Sequence, residues 1–232
     1  MNGVADGGSS DLDTNDGKDL AGRIAVRPFG ALSKRPSSGL TLAIAGTTGN
    51  QSGPLGAMRT SLLLQNFLTY TGATADGRLN RFTPAASYYF KRAAALAEYV
   101  HTSVPMRRGA VRREIAQQAW QMAGSFVLTR GDTATPSGVR PQHDFDFGRG
   151  DLGALQVAAR YHGLAADEEA ITLGLASAGS SRAARAWTAG LNWYLNPNLK
   201  YVVNFERTTF DGNDAAARQA ENALAFRAQV SF

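Results

Sequence analysis

The 232-residue chain contains no cysteine, so neither disulfides nor thiolate metal ligands are available to it. It also has no long apolar run: no stretch approaches the ~20 residues that a membrane-spanning helix needs, which excludes helical spans. Histidine is scarce, and His101, His143 and His162 show no paired spacing for a metal site. Dense Lys/Arg runs of the kind found in nucleic-acid arms are missing; the nearest are Met106-Arg107-Arg108 and Val111-Arg112-Arg113. Gly46–Gly53 is glycine-rich but lacks a Gly-Lys-Ser/Thr ending, so it reads as a turn rather than a phosphate cradle. Asp11–Gly17 resembles the start of a calcium loop. However, Asp16 stands where that loop needs glycine and Gly22 where it needs glutamate, so it reads as a solvated loop. Nothing marks a catalytic nucleophile. The chain reads as a non-enzyme without cofactor, metal or nucleic-acid partner.

Glycine and aromatics are plentiful: 25 Gly, 11 Phe and 7 Tyr suit short strands with interfacial anchors better than a helical bundle. The mean hydropathy of -0.23 does not argue against a membrane barrel, whose strands alternate apolar with polar residues. The chain is basic, with net charge +5 and pI about 9.7. The first nineteen residues hold five Asp and one Lys, leaving 23 basic and 14 acidic residues in the rest. Positive charge therefore belongs to the patterned body, residues 20–232, and residues 1–19 form a polar Asp/Gly/Ser loop.

That body alternates with period two, the spacing of a strand between two unlike environments. At the end, Leu224, Phe226, Ala228, Val230 and Phe232 face away from Ala223, Ala225, Arg227, Gln229 and Ser231. Upstream, Leu199, Tyr201, Val203 and Phe205 oppose Lys200, Val202, Asn204 and Glu206, and Trp187, Ala189, Leu191 and Trp193 oppose Thr188, Gly190, Asn192 and Tyr194. The pattern recurs around Leu155–Tyr161, Gln117–Leu128, Arg81–Phe90, Leu40–Ala45 and Arg23–Arg27. Weaker candidates at Gln65–Tyr70 and Ala93–Thr102 bring the expected count to about ten strands. In the second of these Glu98 shares a face with Leu96 and Val100, which invites a bulge. The alanines of residues 182–195 favour helix locally, but Gly190 and the Trp193-Tyr194 pair before Asn196-Pro197 favour strand. Asn196-Pro197-Asn198 is a tight turn, whereas Asp211–Asn222 and His162–Ala183 are longer and polar. Short turns at one end and long loops at the other predict an all-β, antiparallel, up-and-down transmembrane β-barrel. Arg130–Arg149 is long where that alternation calls for a short turn.

AWTAGLNWYLNPNLKYVVNFERT, from Ala186 to Thr208, and the terminal ENALAFRAQVSF resemble the closing strands of the phosphate-selective porin O/P family. GALQVAARY (Gly153–Tyr161), LTRGD (Leu128–Asp132), AEYV (Ala97–Val100) and GRIAVRPF (Gly22–Phe29) are further matches, and GLNWYLNP is the most specific. The opening NGVADGGSSDLDTNDGKDL resembles an internal loop of that family rather than its beginning. The resemblance implies a sixteen-stranded, homotrimeric porin of the bacterial outer membrane, surrounded by lipid, with a basic lumen that passes phosphate or polyphosphate. This chain would then be the C-terminal part of such a barrel, and by itself an incomplete one.

Strand parity puts Arg23, Arg27, Arg81, Arg160, Lys200 and Arg227 on the polar face. Cations lining a pore concentrate anions there, and the arginine fork matches phosphate oxygens. Carboxylates such as Glu206 could balance them, as scattered charge does in any porin. Phosphate and other small anions are the expected cargo. A soluble all-β binding module, in which Trp187, Trp193, Tyr194, Tyr201 and Phe232 form a core, remains open, as does a non-functional porin fragment. Detergent-dependent solubility separates the module from the membrane protein. Phe226, Ala228, Val230 and Phe232 look like the signal read by the outer-membrane insertion machinery. Deleting Phe232 from a full-length version should sharply lower the yield in outer-membrane fractions, and an unchanged yield refutes the assignment.

Overall fold

The computed structural model describes residues 18–31, 35–212 and 218–231; most of the opening loop and Phe232 lie outside them. In chain order the strands are β1 (Leu20–Val26), β2 (Leu40–Pro54), β3 (Met58–Arg59), β4 (Asn66–Leu68), β5 (Thr74–Phe90), β6 (Ala93–Arg108) and β7 (Val111–Val127). They continue with β8 (Ala134–Thr135), β9 (Gly138–Val139), β10 (Ala154–Ala166), β11 (Ala183–Tyr194), β12 (Leu199–Asp211) and β13 (Glu221–Val230). Among the described residues helix is confined to a 3-10 turn at Pro36–Gly39 and one α-turn, α1 (Glu169–Thr172). The Ala-rich segment that weighed helix against strand is β11.

Nine strands form one antiparallel meander in the order β1-β2-β5-β6-β7-β10-β11-β12-β13. Each pairs with its neighbours in near-continuous register, as in Arg160↔Thr188 and Thr188↔Glu206. β3-β4 and β8-β9 are small hairpins inside two connections, apart from the main sheet. The expected tally of about ten strands is thus corrected to nine. Gln65–Tyr70 supplies β4, off the main sheet. Its Phe67 and Leu68 are both buried, and two adjacent buried side chains cannot belong to a strand whose faces alternate in environment. Ala93–Thr102 lies within β6, and its register with β7 runs unbroken past Glu98↔Gln121. The irregularity falls in the β5–β6 pairing instead, between Ala75 and Asn80.

The burial pattern inverts that of a water-soluble sheet. Leu20, Ile24, Leu42, Ile44, Phe82, Met122, Phe126, Val157, Tyr161, Trp187, Leu191, Val203, Phe205, Leu224, Phe226 and Val230 share one face, and all are exposed, Leu224 to 76%. The opposite face carries the polar residues and receives the long connections. Two apolar clusters sit under those connections, one at each end of the sheet. At the end where β2, β6, β10 and β12 finish, Phe67, Leu68, Leu175 and Ala176 pack with Val104, Met106 and Ile115. At the other end, Ala134 and Val139 of the β8-β9 hairpin pack on Val127, Ala154 and Tyr194. This accounts for the long Arg130–Arg149 segment: it carries the β8-β9 hairpin, which folds back onto the polar face.

Of the four connections at the hairpin end only β5–β6 and β11–β12 are tight turns, while β6–β7 at the opposite end is also tight, so the expected division into short and long ends holds only in part. Asn196 Oδ1 accepts hydrogen bonds from the Asn198 and Leu199 amides at 2.9 and 2.8 Å, which closes the β11–β12 turn. Arg92, in the β5–β6 turn, donates to the Val127 and Leu128 carbonyls and lies over the Phe126 ring. The entry to β10 is tighter. Gly153 has φ +67, and a Cβ there would stand 2.2 Å from the Tyr194 carbonyl oxygen. Gly153→Ala should therefore destabilise the fold by on the order of 2 kcal/mol. A lowered temperature of heat-modified migration on gels checks this, and an unchanged one contradicts the packing.

Candidate functional site

The site is built on the polar face, where four strands bring side chains into one row. The partners Arg160, Thr188, Glu206 and Ala223 lie side by side on β10, β11, β12 and β13. Glu206 is only 2% exposed. A carboxylate at that depth needs hydrogen bonds to stay ionised, and it has three. Thr188 Oγ1 donates to Oε2 at 2.7 Å and Arg160 Nη2 donates to the same oxygen at 3.1 Å. Ser61 Oγ donates to Oε1 at 2.5 Å from the β2–β5 connection.

His162 stands two residues along β10 from Arg160, its Nε2 3.0 Å from Ser61 Oγ. Because Ser61 gives its one proton to the carboxylate, its contact with His162 must run from Nε2–H to Oγ. His162 Nδ1 then carries a lone pair, and it is buried without a partner. Ser, His and Glu here do not make a nucleophile relay: the carboxylate binds the serine rather than the far nitrogen of the histidine.

Residues 55–73 are thereby held across the polar face. Their other side is fixed by the β10–β11 connection. The Thr71 amide donates to Leu175 O at 2.9 Å, the Ser177 amide to Thr69 O at 2.9 Å and the Ser181 amide to Phe67 O at 2.8 Å. Thr69 N reaches Ser180 Oγ at 3.1 Å, and Phe67 packs on Phe210. Gln117 on β7 donates to the Tyr70 hydroxyl at 2.8 Å. Burial pushes the Tyr70 phenol up from its ordinary pKa, with the Gln117 bond pulling the other way. The phenol therefore stays neutral and the tether carries no charge.

Of the six cations expected on this face, five lie within the sheet register. Arg23 is opposite Ala45. Arg81 is opposite Thr47 and Thr102, and its Nε lies 3.4 Å from Thr102 Oγ1. Arg160 holds Glu206. Lys200 pairs with Tyr194 and Gln229, its ammonium 5.3 Å from the Tyr194 ring centre. Arg227 is opposite Val202. Arg27 lies one residue beyond β1, exposed and outside the paired register. The six are spread along the sheet rather than clustered, and Arg160 alone among them has a carboxylate partner among the described residues. Phe226 and Val230 lie exposed on the apolar face of β13, with Phe226 stacked on Tyr201 at 5.7 Å. Sequence reasoning missed Ser61, Tyr70 and Gln117. Only alternation marked Glu206, which follows Val202 and Asn204 on the face opposite Phe205.

An antiparallel meander with an apolar face turned outward and a polar face carrying folded-in connections has the build of an outer-membrane strand protein. The chain matches the family described as phosphate-selective porin O and P over residues 2–232. It belongs to that family, and its place is the bacterial outer membrane. No curated protein sequence matches the chain. Among solved structures, it resembles a loop-L8 deletion mutant of OmpT, an outer membrane protein of Vibrio cholerae, at 13% identity and TM-score 0.44. That match covers 83% of this chain and 49% of the other, so the chain spans about half of that structure's length.

Ser61→Ala removes the bond between the connection and the buried carboxylate, worth about 1.5 kcal/mol for a bond to a charged group. Amide exchange across residues 55–73 should quicken roughly tenfold, with exchange in β12 unchanged. Unchanged exchange in residues 55–73 contradicts the tether.

Proposed function

We propose that this sheet is the wall of a transmembrane up-and-down β-barrel whose polar face lines a water-filled path for small anions, phosphate and polyphosphate among them. The observation that carries the reading is the imbalance of charge on that face. Arg23, Arg27, Arg81, Lys200 and Arg227 have no carboxylate partner among the described residues, whereas Arg160 is neutralised by Glu206. Uncompensated cations beside confined water raise the local anion concentration and lower the barrier to anion passage. The family's description names phosphate, and the fork of an arginine suits its oxygens better than it suits chloride.

Closure follows from the membrane. β1 and β13 are the edges of the sheet, and an unpaired edge in hydrocarbon costs several kcal/mol per exposed backbone group. Both edges therefore have to be paired in the bilayer, and the family resemblance implies a homotrimer surrounded by lipid for the full-length protein. The exposed apolar face disfavours a soluble binding module, because a water-soluble monomer rarely displays a continuous apolar surface of that extent. Family membership points to a channel rather than an enzyme.

The test is the reversal potential of the membrane-assembled protein in planar bilayers under a salt gradient. Lys200→Gln with Arg227→Gln should lower the anion-to-cation permeability ratio roughly twofold or more at 0.1 M salt, and less at 1 M, where screening falls to about 3 Å. Arg160→Gln should move the ratio less, because its charge is already paired. A reversal potential unmoved by the Lys200/Arg227 pair removes these side chains from the conducting path.

A further inference from the structure

The β7–β10 connection does two things at the rim it shares with the β11–β12 turn. Its β8-β9 hairpin folds onto the polar face, while residues 145–152 pack on the apolar side of the same rim. The Phe145 amide donates to Leu195 O at 2.6 Å, and its ring meets Trp193 edge-on at 5.4 Å. Trp193 Nε1 donates to the Leu152 carbonyl at 2.7 Å. Trp193 continues along the apolar face through Tyr201, at 6.2 Å, to Phe226, at 5.7 Å.

Between Phe145 and Leu152 the chain forms a built tip rather than a loose loop. Asp146 and Asp151 exchange two backbone hydrogen bonds of 3.0 Å. Asp146 Oδ1 accepts from the Gly148 and Arg149 amides at 2.9 and 3.3 Å, and its Oδ2 pairs with Arg149 Nε at 3.3 Å. This bonding displays Phe147 at 91% exposure, the most exposed large apolar side chain among the described residues, with Leu152 exposed beside it. A tip stabilised by polar bonds while its aromatic faces outward has no use for that aromatic in water.

We propose that the Phe147 tip is a lipid anchor: Phe147, Phe145 and Leu152 enter the boundary between headgroups and acyl chains of the phospholipid leaflet at this rim. The inference rests on the barrel reading above. Three observations select lipid as the occupant. The tip is continuous with the Trp193–Tyr201–Phe226 stripe, which in a barrel faces hydrocarbon. It stands at the rim, where aromatic side chains of membrane barrels lie at headgroup level. The Asp146 carboxylate is satisfied within the tip by the Gly148 and Arg149 amides and the Arg149 guanidinium, and Arg149 remains exposed to meet a lipid phosphate.

The absence of cysteine makes the test clean. Phe147→Cys, Val203→Cys and Arg140→Cys, each carrying one nitroxide, are assembled in phospholipid vesicles, with folding verified by unheated gel migration. The readout is the ratio of nitroxide collisions with oxygen, which partitions into lipid, to collisions with a water-soluble nickel chelate. Position 203 reports the apolar face and position 140 reports water. The expected result is a ratio at 147 several-fold above that at 140 and approaching that at 203. A ratio at 147 equal to that at 140, with 203 in lipid, overturns the anchor and leaves the barrel reading intact. Water-like ratios at both 147 and 203 overturn the two together. A label at 147 shielded from both agents and broadened by a second spin places a second copy on the tip, and also overturns the anchor.

Discussion

The structure depends on one constraint: a backbone crossing hydrocarbon must satisfy every N–H and C=O without water. A strand meets it only by pairing sideways along its whole length. β2, β5, β6 and β7 accordingly run fifteen to seventeen residues and pair almost end to end. Sideways pairing leaves the side chains two faces and a fixed period of two, so every substitution is sorted by parity. The outward row Leu224, Phe226, Val230 and the inward row Ala223, Arg227, Gln229 differ by one residue's offset. A single-residue slip would put Arg227 where Phe226 now stands. Such a slip would bring a cation into the exposed apolar row, so parity specifies the register along with the hydrogen bonds.

The same constraint explains why the apolar packing sits at the ends. A sheet with one exposed apolar face and one polar face has no interior of its own. Close packing arises only where a connection folds back onto the polar face and excludes water there. Such a connection has to be fixed by polar bonds, since the surface beneath it is polar. Glu206 serves that purpose through Ser61, Thr188 and Arg160. A buried carboxylate with fewer donors would give up its charge or open the contact to water. Its need for donors fixes the position of residues 55–73 over the sheet. It also takes Arg160 out of the balance of free cations, leaving Arg23, Arg27, Arg81, Lys200 and Arg227 without a carboxylate partner among the described residues.

How much of this was legible in the sequence follows from the range of each signal. Parity is local: the five residues from Trp187 to Leu191 already determine which side Thr188 and Gly190 face. The wall strands, the membership of five cations in one face and the strand nature of the Ala-rich β11 could therefore be read directly. The inserts could not, because their docking is long-range. Ser61 meets Glu206 across a separation of 145 residues, and no pattern near Ser61 announces it. Phe67-Leu68 resembled part of a wall strand because an apolar pair looks the same whether it faces lipid or a small core. Phe147 was hidden in a Gly/Asp-rich stretch whose composition signals only a turn.

The two ends of the sheet now make different physical sense. At the long-loop end, residues 55–73 and the β10–β11 connection bond to each other as well as to the sheet, so the two fold over the polar face as one unit. At the opposite end the β7–β10 connection is divided by its own sequence. Its small apolar residues, Ala134 and Val139, fit under the hairpin against Tyr194, where space is limited. Its aromatic residues, Phe145 and Phe147, fall after Pro141, on the side of Trp193. Side-chain size thus sorts one connection between two faces. Alanine and valine fill a narrow gap inside, whereas Phe145 packs edge-on against Trp193 and Phe147 projects from the tip at 91% exposure.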